Sequence, residues 1–127
     1  MEKQKNIPQL RFYEFSGYWN NSPLNKIATI SSGLSLNQND NGQGIPVTRI
    51  ETISDEMVNL QKVGYVDTKE NMDDYKLIYG DILFSNINSV SQIGKTAIVN
   101  QKINLYHGMN LLLIRHNDEM HAYFLYL

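Results

Sequence analysis

Leu111-Leu112-Leu113-Ile114, inside the stretch MNLLLIR at 109–115, places four apolar residues in a row with no polar alternation. A strand with one wet face alternates apolar and polar residues, so this run predicts a strand from Met109 to Arg115 covered on both faces, and with it a layered fold. Shorter extended runs accompany it at Ile45 to Ile53, Val63 to Val66, Asp81 to Phe84 and Thr96 to Val99. Ile7 to Phe15, IPQLRFYEF, also reads as extended, because Pro8 restricts its neighbours and aromatics fall at Phe12, Tyr13 and Phe15.

Helical signals are short. Ser22-Pro23 predicts a start, with serine as cap and proline at the first helical position. Leu24, Ile27 and Ala28 then lie on one face of a helix that ends by Ser31-Ser32-Gly33. Asp67-Thr68 predicts the cap of a polar helix through Tyr75, and a last helix runs from Met120 to Leu127. Asn37 to Gly44, NQNDNGQG, holds no apolar residue and reads as a mobile loop. Strands interleaved with short helices give an α+β domain over residues 1–127, with 1–6 as a flexible N-terminus. A chain of this length buries about two-thirds of the surface its unfolded form exposes, which suffices for a core.

The absence of cysteine excludes disulfides and thiolate metal sites. With no signal-peptide h-region and no run near the ~18 apolar residues of a membrane span, the expectation is a soluble, cytoplasmic protein without membrane contact. Net charge is −2, unevenly spread. Between Glu51 and Asp74 seven acids meet Lys62 and Lys69, a balance of −5, so the other 103 residues total +3. From Leu77 to Asn117 only Asp81 opposes Lys95, Lys102 and Arg115, a mildly basic stretch compatible with DNA contact at a defined surface.

Gly94-Lys95-Thr96 invites a phosphate-loop reading, which fails twice. The glycine that the pattern requires five residues earlier is Ser89, and a β-prone run follows where a helix N-terminus is needed. His107, His116 and His121 form no HExxH arrangement, no G-x-S-x-G elbow occurs, and Asp73-Asp74 are neighbours that point apart on a polar helix. Nothing demands catalysis or a metal. The loop from Ser85 to Lys95 carries recognition chemistry instead: amides of Asn86, Asn88 and Gln92 pair a donor with an acceptor as adenine N6/N7 requires, Ser89 and Ser91 serve base or phosphate, and Lys95 suits phosphate. Asn and Ser are equally ordinary turn residues.

Five segments, PQLRFYEFSGYW (8–19), PLNKIATISSG (23–33), IPVTRIETIS (45–54), YGDILFSNINSVSQIGKTAIV (79–99) and YHGMNLLLIRHN (106–117), resemble in sequence and order the target recognition domain of type I restriction-modification specificity subunits. GDILFS followed by IGKTAIV is the most specific element, and the resemblance runs from Ile7 over nearly the whole chain. It implies a strongly curved mixed or antiparallel sheet that reads one half of a bipartite site in double-stranded DNA. Such domains come in pairs separated by long helices that bind modification subunits. Methyl transfer with S-adenosylmethionine, and ATP-dependent work with the restriction subunit, then belong to partners, and the chain itself takes no cofactor. The expected DNA-binding set is Arg49, Asn86, Asn88, Ser89, Ser91, Gln92, Lys95, His107 and Asn110. His116 departs from the pattern, standing where the family's RPN-like segment has proline. The sequence stops at Leu127 before any long spacer helix, so weak DNA binding is expected of it alone, with the apolar end His121 to Leu127 folding onto the core or against a second copy or a partner. An alternative of another class is a protein-interaction module that docks on a modification subunit without reading DNA.

Overall fold

The computed structural model describes residues 7–127, so the expectation for residues 1–6 lies outside it. Six strands form two sheets. β1 (Ala28–Ser32), β6 (Leu111–His116), β4 (Ile82–Ser85) and β5 (Thr96–Ile98) make a four-stranded antiparallel sheet in the order β1-β6-β4-β5. β2 (Ile45–Val47) and β3 (Gly64–Val66) pair separately, also antiparallel.

Register explains why the unalternating run had to be sequestered. Leu113 faces Leu83, which faces Ala97, and these three lie on one side with Ile53, Leu77, Leu105 and Leu111. Ile114 faces Ile82, which faces Ile98, on the opposite side. There α2 (Ala122–Tyr126) covers them through Ala122, Leu125 and Tyr126. The apolar C-terminal segment therefore folds onto the sheet, as expected, although Phe124 and Leu127 stay exposed. A third cluster, Val47, Val66 and Met72, closes the small sheet against Leu34, Tyr75 and Tyr106.

Several expected elements differ. The first helix is one turn, α1 (Leu24–Ile27), and the chain passes directly into β1. Apolar spacing at Leu24, Ile27 and Ala28 suits a helix, but β-branched Thr29 and Ile30 suit a strand, and the open edge of β6 takes them as partners. The run Ile45 to Ile53 breaks after Val47 into a 3₁₀ turn, Ile50–Ile53, where Thr52 Oγ1 accepts the Arg49 N–H at 2.8 Å and donates to the Lys62 carbonyl at 2.6 Å. The polar helix after Asp67 shrinks to a 3₁₀ turn, Asp73–Tyr75, because it has no apolar stripe to bury. Ile7 to Phe15 joins no strand and instead turns, the Phe15 N–H donating to the Phe12 carbonyl at 3.1 Å. Asn37 to Gly44 is not a loose loop but is hydrogen-bonded in place.

Asp81, at the entry to β4, is 1% exposed. Arg115 on β6 grips both its oxygens, Nε to Oδ1 and Nη2 to Oδ2, each at 2.7 Å. Oδ2 also accepts the Ile78 N–H at 2.8 Å. Asp81 thus joins two central strands, and its charge cancels that of Arg115.

Candidate nucleic-acid interface

Strand direction gathers the polar segments. β4 ends at Ser85 opposite Leu111, the first residue of β6, while β1 ends at Ser32 opposite Leu112. One end of the sheet consequently carries the loop 86–95, the turn that enters β6 at Met109-Asn110, and the segment 33–38 that leaves β1. Leu34 donates its N–H to the His107 carbonyl at 3.0 Å, which ties the last two together.

The loop 86–95 is closed by its own backbone. Ser85 donates to Lys95 O at 2.8 Å and Gly94 returns a bond to Ser85 O at 2.9 Å; inside, Gln92 and Ile93 both donate to Ser89 O. Gly94 has φ +79°, a left-handed value that glycine adopts without Cβ strain, and it reverses the chain into β5. No helix follows Lys95-Thr96, in keeping with rejection of the phosphate loop. Asn86, Asn88 and Ser91 are exposed, and Ser89 and Lys95 are half-buried. Gln92 turns its Oε1 into the protein, where that oxygen meets no partner among the described residues, so its acceptor is not presented outward. At the tip Val90 is 100% exposed, a side chain the sequence reading passed over. An apolar tip is what the thymine methyl group can meet in the major groove.

Arg49 and Asn110 line one cleft of about 370 Å³, together with Asn37, Gln38 and Glu51. Lys95 lines another of about 490 Å³ with Ser54, Glu56 and Tyr126. The 3₁₀ turn stands between them, Ile50 and Glu51 bordering the first cleft and Ile53 the second. Asn110 holds φ +69°, a conformation asparagine tolerates better than most residues, and stands exposed at the turn. Sequence reasoning had not placed Asn37 and Gln38 beside Arg49, and only their amide chemistry could have hinted at it.

His107 requires a correction. It is 0% exposed, so it offers no surface for DNA. Its Nε2–H donates to the Leu111 carbonyl at 2.8 Å and braces the Asn110 turn from below. A carbonyl only accepts, so Nε2 carries the proton, and buried Nδ1 meets no partner among the described residues. Burial pushes this imidazole below the ordinary histidine value. Arg49 also differs from a free phosphate anchor, since its guanidinium is bonded to Gln38, Asp40 and Asn39.

Among the described residues no cluster of three or more His, Asp or Glu is arranged to hold a metal, and no helix is long and apolar enough to cross a membrane. The described residues thus form an antiparallel sheet with few short helices and with polar loops gathered at one end. Residues 17–127 match the family described as type I restriction modification DNA specificity domain, and the chain belongs to that family. It is also 44% identical over 128 residues to a protein of Methanocaldococcus jannaschii named as the type I restriction enzyme MjaX specificity subunit, a match that spans 97% of this chain and 30% of that relative.

Proposed function

We propose that this chain reads sequence in double-stranded DNA, recognising one half of a bipartite site and directing the modification and restriction subunits of a type I restriction-modification assembly. Methyl transfer with S-adenosylmethionine, and ATP-dependent cleavage, belong to those partner subunits, and this chain supplies no catalytic group. The observation that carries the reading is the convergence, inside the family-matched region, of the 86–95 loop, Asn110 and the Asn37-Gln38 segment at one end of the sheet. Exposed amides there offer the paired donor and acceptor that distinguish base edges, and Lys95 offers a charge to phosphate. The side chains of Phe124 and Leu127 leave an apolar end on which the chain associates with itself or a partner.

Selection from a pool of randomised duplexes tests this reading. The protein should enrich a defined short sequence, and Asn88→Ala should then lose about 1–3 kcal/mol on the enriched duplex and little on a scrambled one. Enrichment of no sequence would overturn the proposal.

A further inference from the structure

We propose that the loop from Asn39 to Gly44 is a second base-reading element, with Asn41 and Gln43 presenting the reading groups and Arg49 acting as its positioning residue. The inference rests on the DNA-reading function above and extends it to a segment that lies outside the 86–95 loop.

The loop is polar throughout, yet it is built with unusual care for a surface turn. Tyr65 exchanges both backbone hydrogen bonds with Asn39, at 2.8 and 3.0 Å, on one edge of β3. On the other edge Tyr65 stands opposite Pro46 of β2. Asn39 and Pro46 therefore flank the same strand, and the residues between them must step across its end. Gly44 makes the crossing at φ +106°, and a Cβ there would stand 2.5 Å from the Val66 carbonyl oxygen. Two asparagine side chains then fix the turn: Asn39 Oδ1 accepts the Asn41 N–H at 3.1 Å, and Asn41 Oδ1 accepts the Gln43 N–H at 3.0 Å.

Arg49 binds this unit from behind through all three guanidinium nitrogens. Nε donates to Gln38 Oε1 at 2.8 Å, Nη2 to the Asn39 carbonyl at 3.3 Å, and Nη1 to Asp40 Oδ1. Asp40 neutralises the guanidinium, which leaves Arg49 little net attraction for phosphate. What the arrangement does leave free is amide chemistry. Among the described residues the side-chain NH₂ of Asn41 has no hydrogen-bond partner, and neither does either end of the Gln43 amide, and both residues are exposed. A glutamine with donor and acceptor free matches adenine N6/N7, and an asparagine with its donor free suits the acceptors of guanine or thymine. Continuity supports the assignment: Arg49 lines the cleft that contains Asn110 and also the groove that contains Asp40 and Asn41. None of the loop's residues supplies apolar burial, so its fixed shape does nothing for the core.

The test uses the full 127-residue chain with a duplex enriched from a randomised pool and a scrambled duplex of equal length. Asn41→Ala with Gln43→Ala should lower the ratio of enriched to scrambled affinity about tenfold or more and leave scrambled binding unchanged. Arg49→Lys keeps the charge but replaces three nitrogens with one, so it should lose the ratio as Arg49→Ala does, with the salt dependence unaltered in both. Amide exchange at Asn41 and Gln43 should quicken in both Arg49 variants while Leu83 and Leu113 stay protected, which separates loop release from unfolding. An unchanged ratio in the Asn41/Gln43 double variant, where Asn88→Ala does reduce it, overturns this inference and leaves the broader reading intact. A wild-type ratio in Arg49→Lys, together with a salt slope lowered by about one counterion in Arg49→Ala, overturns the positioning role. If the unaltered chain fails to discriminate, both readings fall.

Discussion

Among the described residues stand two arginine–aspartate pairs of similar chemistry and opposite circumstance. Arg115 and Asp81 meet through two parallel bonds with the carboxylate out of water, clamping β6 to the entry of β4. Arg49 and Asp40 meet where the aspartate side chain is mostly in solvent, on a loop that buries nothing. Desolvation is the difference. A buried carboxylate that loses its cation keeps its full cost, whereas an exposed one is rehydrated, so the first pair holds the fold and the second only sets a local shape.

Removing the cation from each pair is the sharpest way to break this contrast. Arg115→Ala should destabilise the fold by about 3–5 kcal/mol, because Asp81 is left buried and unpaired, and a denaturant titration would measure it. A loss below ~1 kcal/mol would mean that the two pairs are energetically alike. Replacing the pair jointly, Asp81→Asn with Arg115→Leu, should cost less than Arg115→Ala alone.

A smaller effect tests whether burial governs charge elsewhere in the same core. His107 is held neutral by desolvation, with Asp81 and Arg115 exerting weaker and opposing influences. In the unfolded chain the imidazole protonates near its ordinary value of 6.5. Below that pH the unfolded state binds more protons than the folded one, so stability is complete above about 6.5 and declines as pH falls toward the depressed folded value. Unfolding midpoints between pH 7.5 and 5 should fall on this account, and the His107 ring signal should titrate below 6.5. A midpoint that rises on acidification would contradict the assignment.

Lys95 belongs to the solvated side of the comparison. Lys95→Ala should weaken binding to enriched and scrambled duplexes equally and reduce the logarithmic salt slope by about 0.9, as one lost phosphate contact predicts, with little change in stability. The smallest effect on folding is that of Arg49→Ala, under about 1 kcal/mol by thermal or chemical unfolding, even though it should abolish loop order. A loss as large as that of Arg115→Ala would remove the distinction from which the loop inference starts.

These pairs also mark the limit of what the linear sequence revealed. β3 to β6 were legible because their signals are local: the unalternating run at Leu111 and the short extended runs at 63–66, 81–84 and 96–99. Ala28 to Ser32 was misread because a one-turn helix and an edge strand share the same few residues, and the partner that decides between them, β6, lies eighty or more positions away. Arg115 counted as part of a basic stretch, yet Asp81 cancels it, and among the described residues Lys95 and Lys102 make no ion pair within the chain. His107 stood in the expected DNA-binding set, and only packing reveals it as a core brace. The 86–95 loop was visible as chemistry. The fixed shape of 39–44 was not, since it depends on Arg49 and Tyr65 folding back onto it.

Trp19, the one tryptophan in the sequence, stacks on Phe124 of α2 with ring centres 5.9 Å apart and stands 52% exposed. Its emission therefore reads the seating of the C-terminal helix without any added label. Release of α2 would free the indole to water and shift the spectrum to the red, while a molecule settling over the stack would shift it to the blue. A plain fluorescence titration thus distinguishes events around α2 from events at the loop-bearing end of the sheet, where no tryptophan reports.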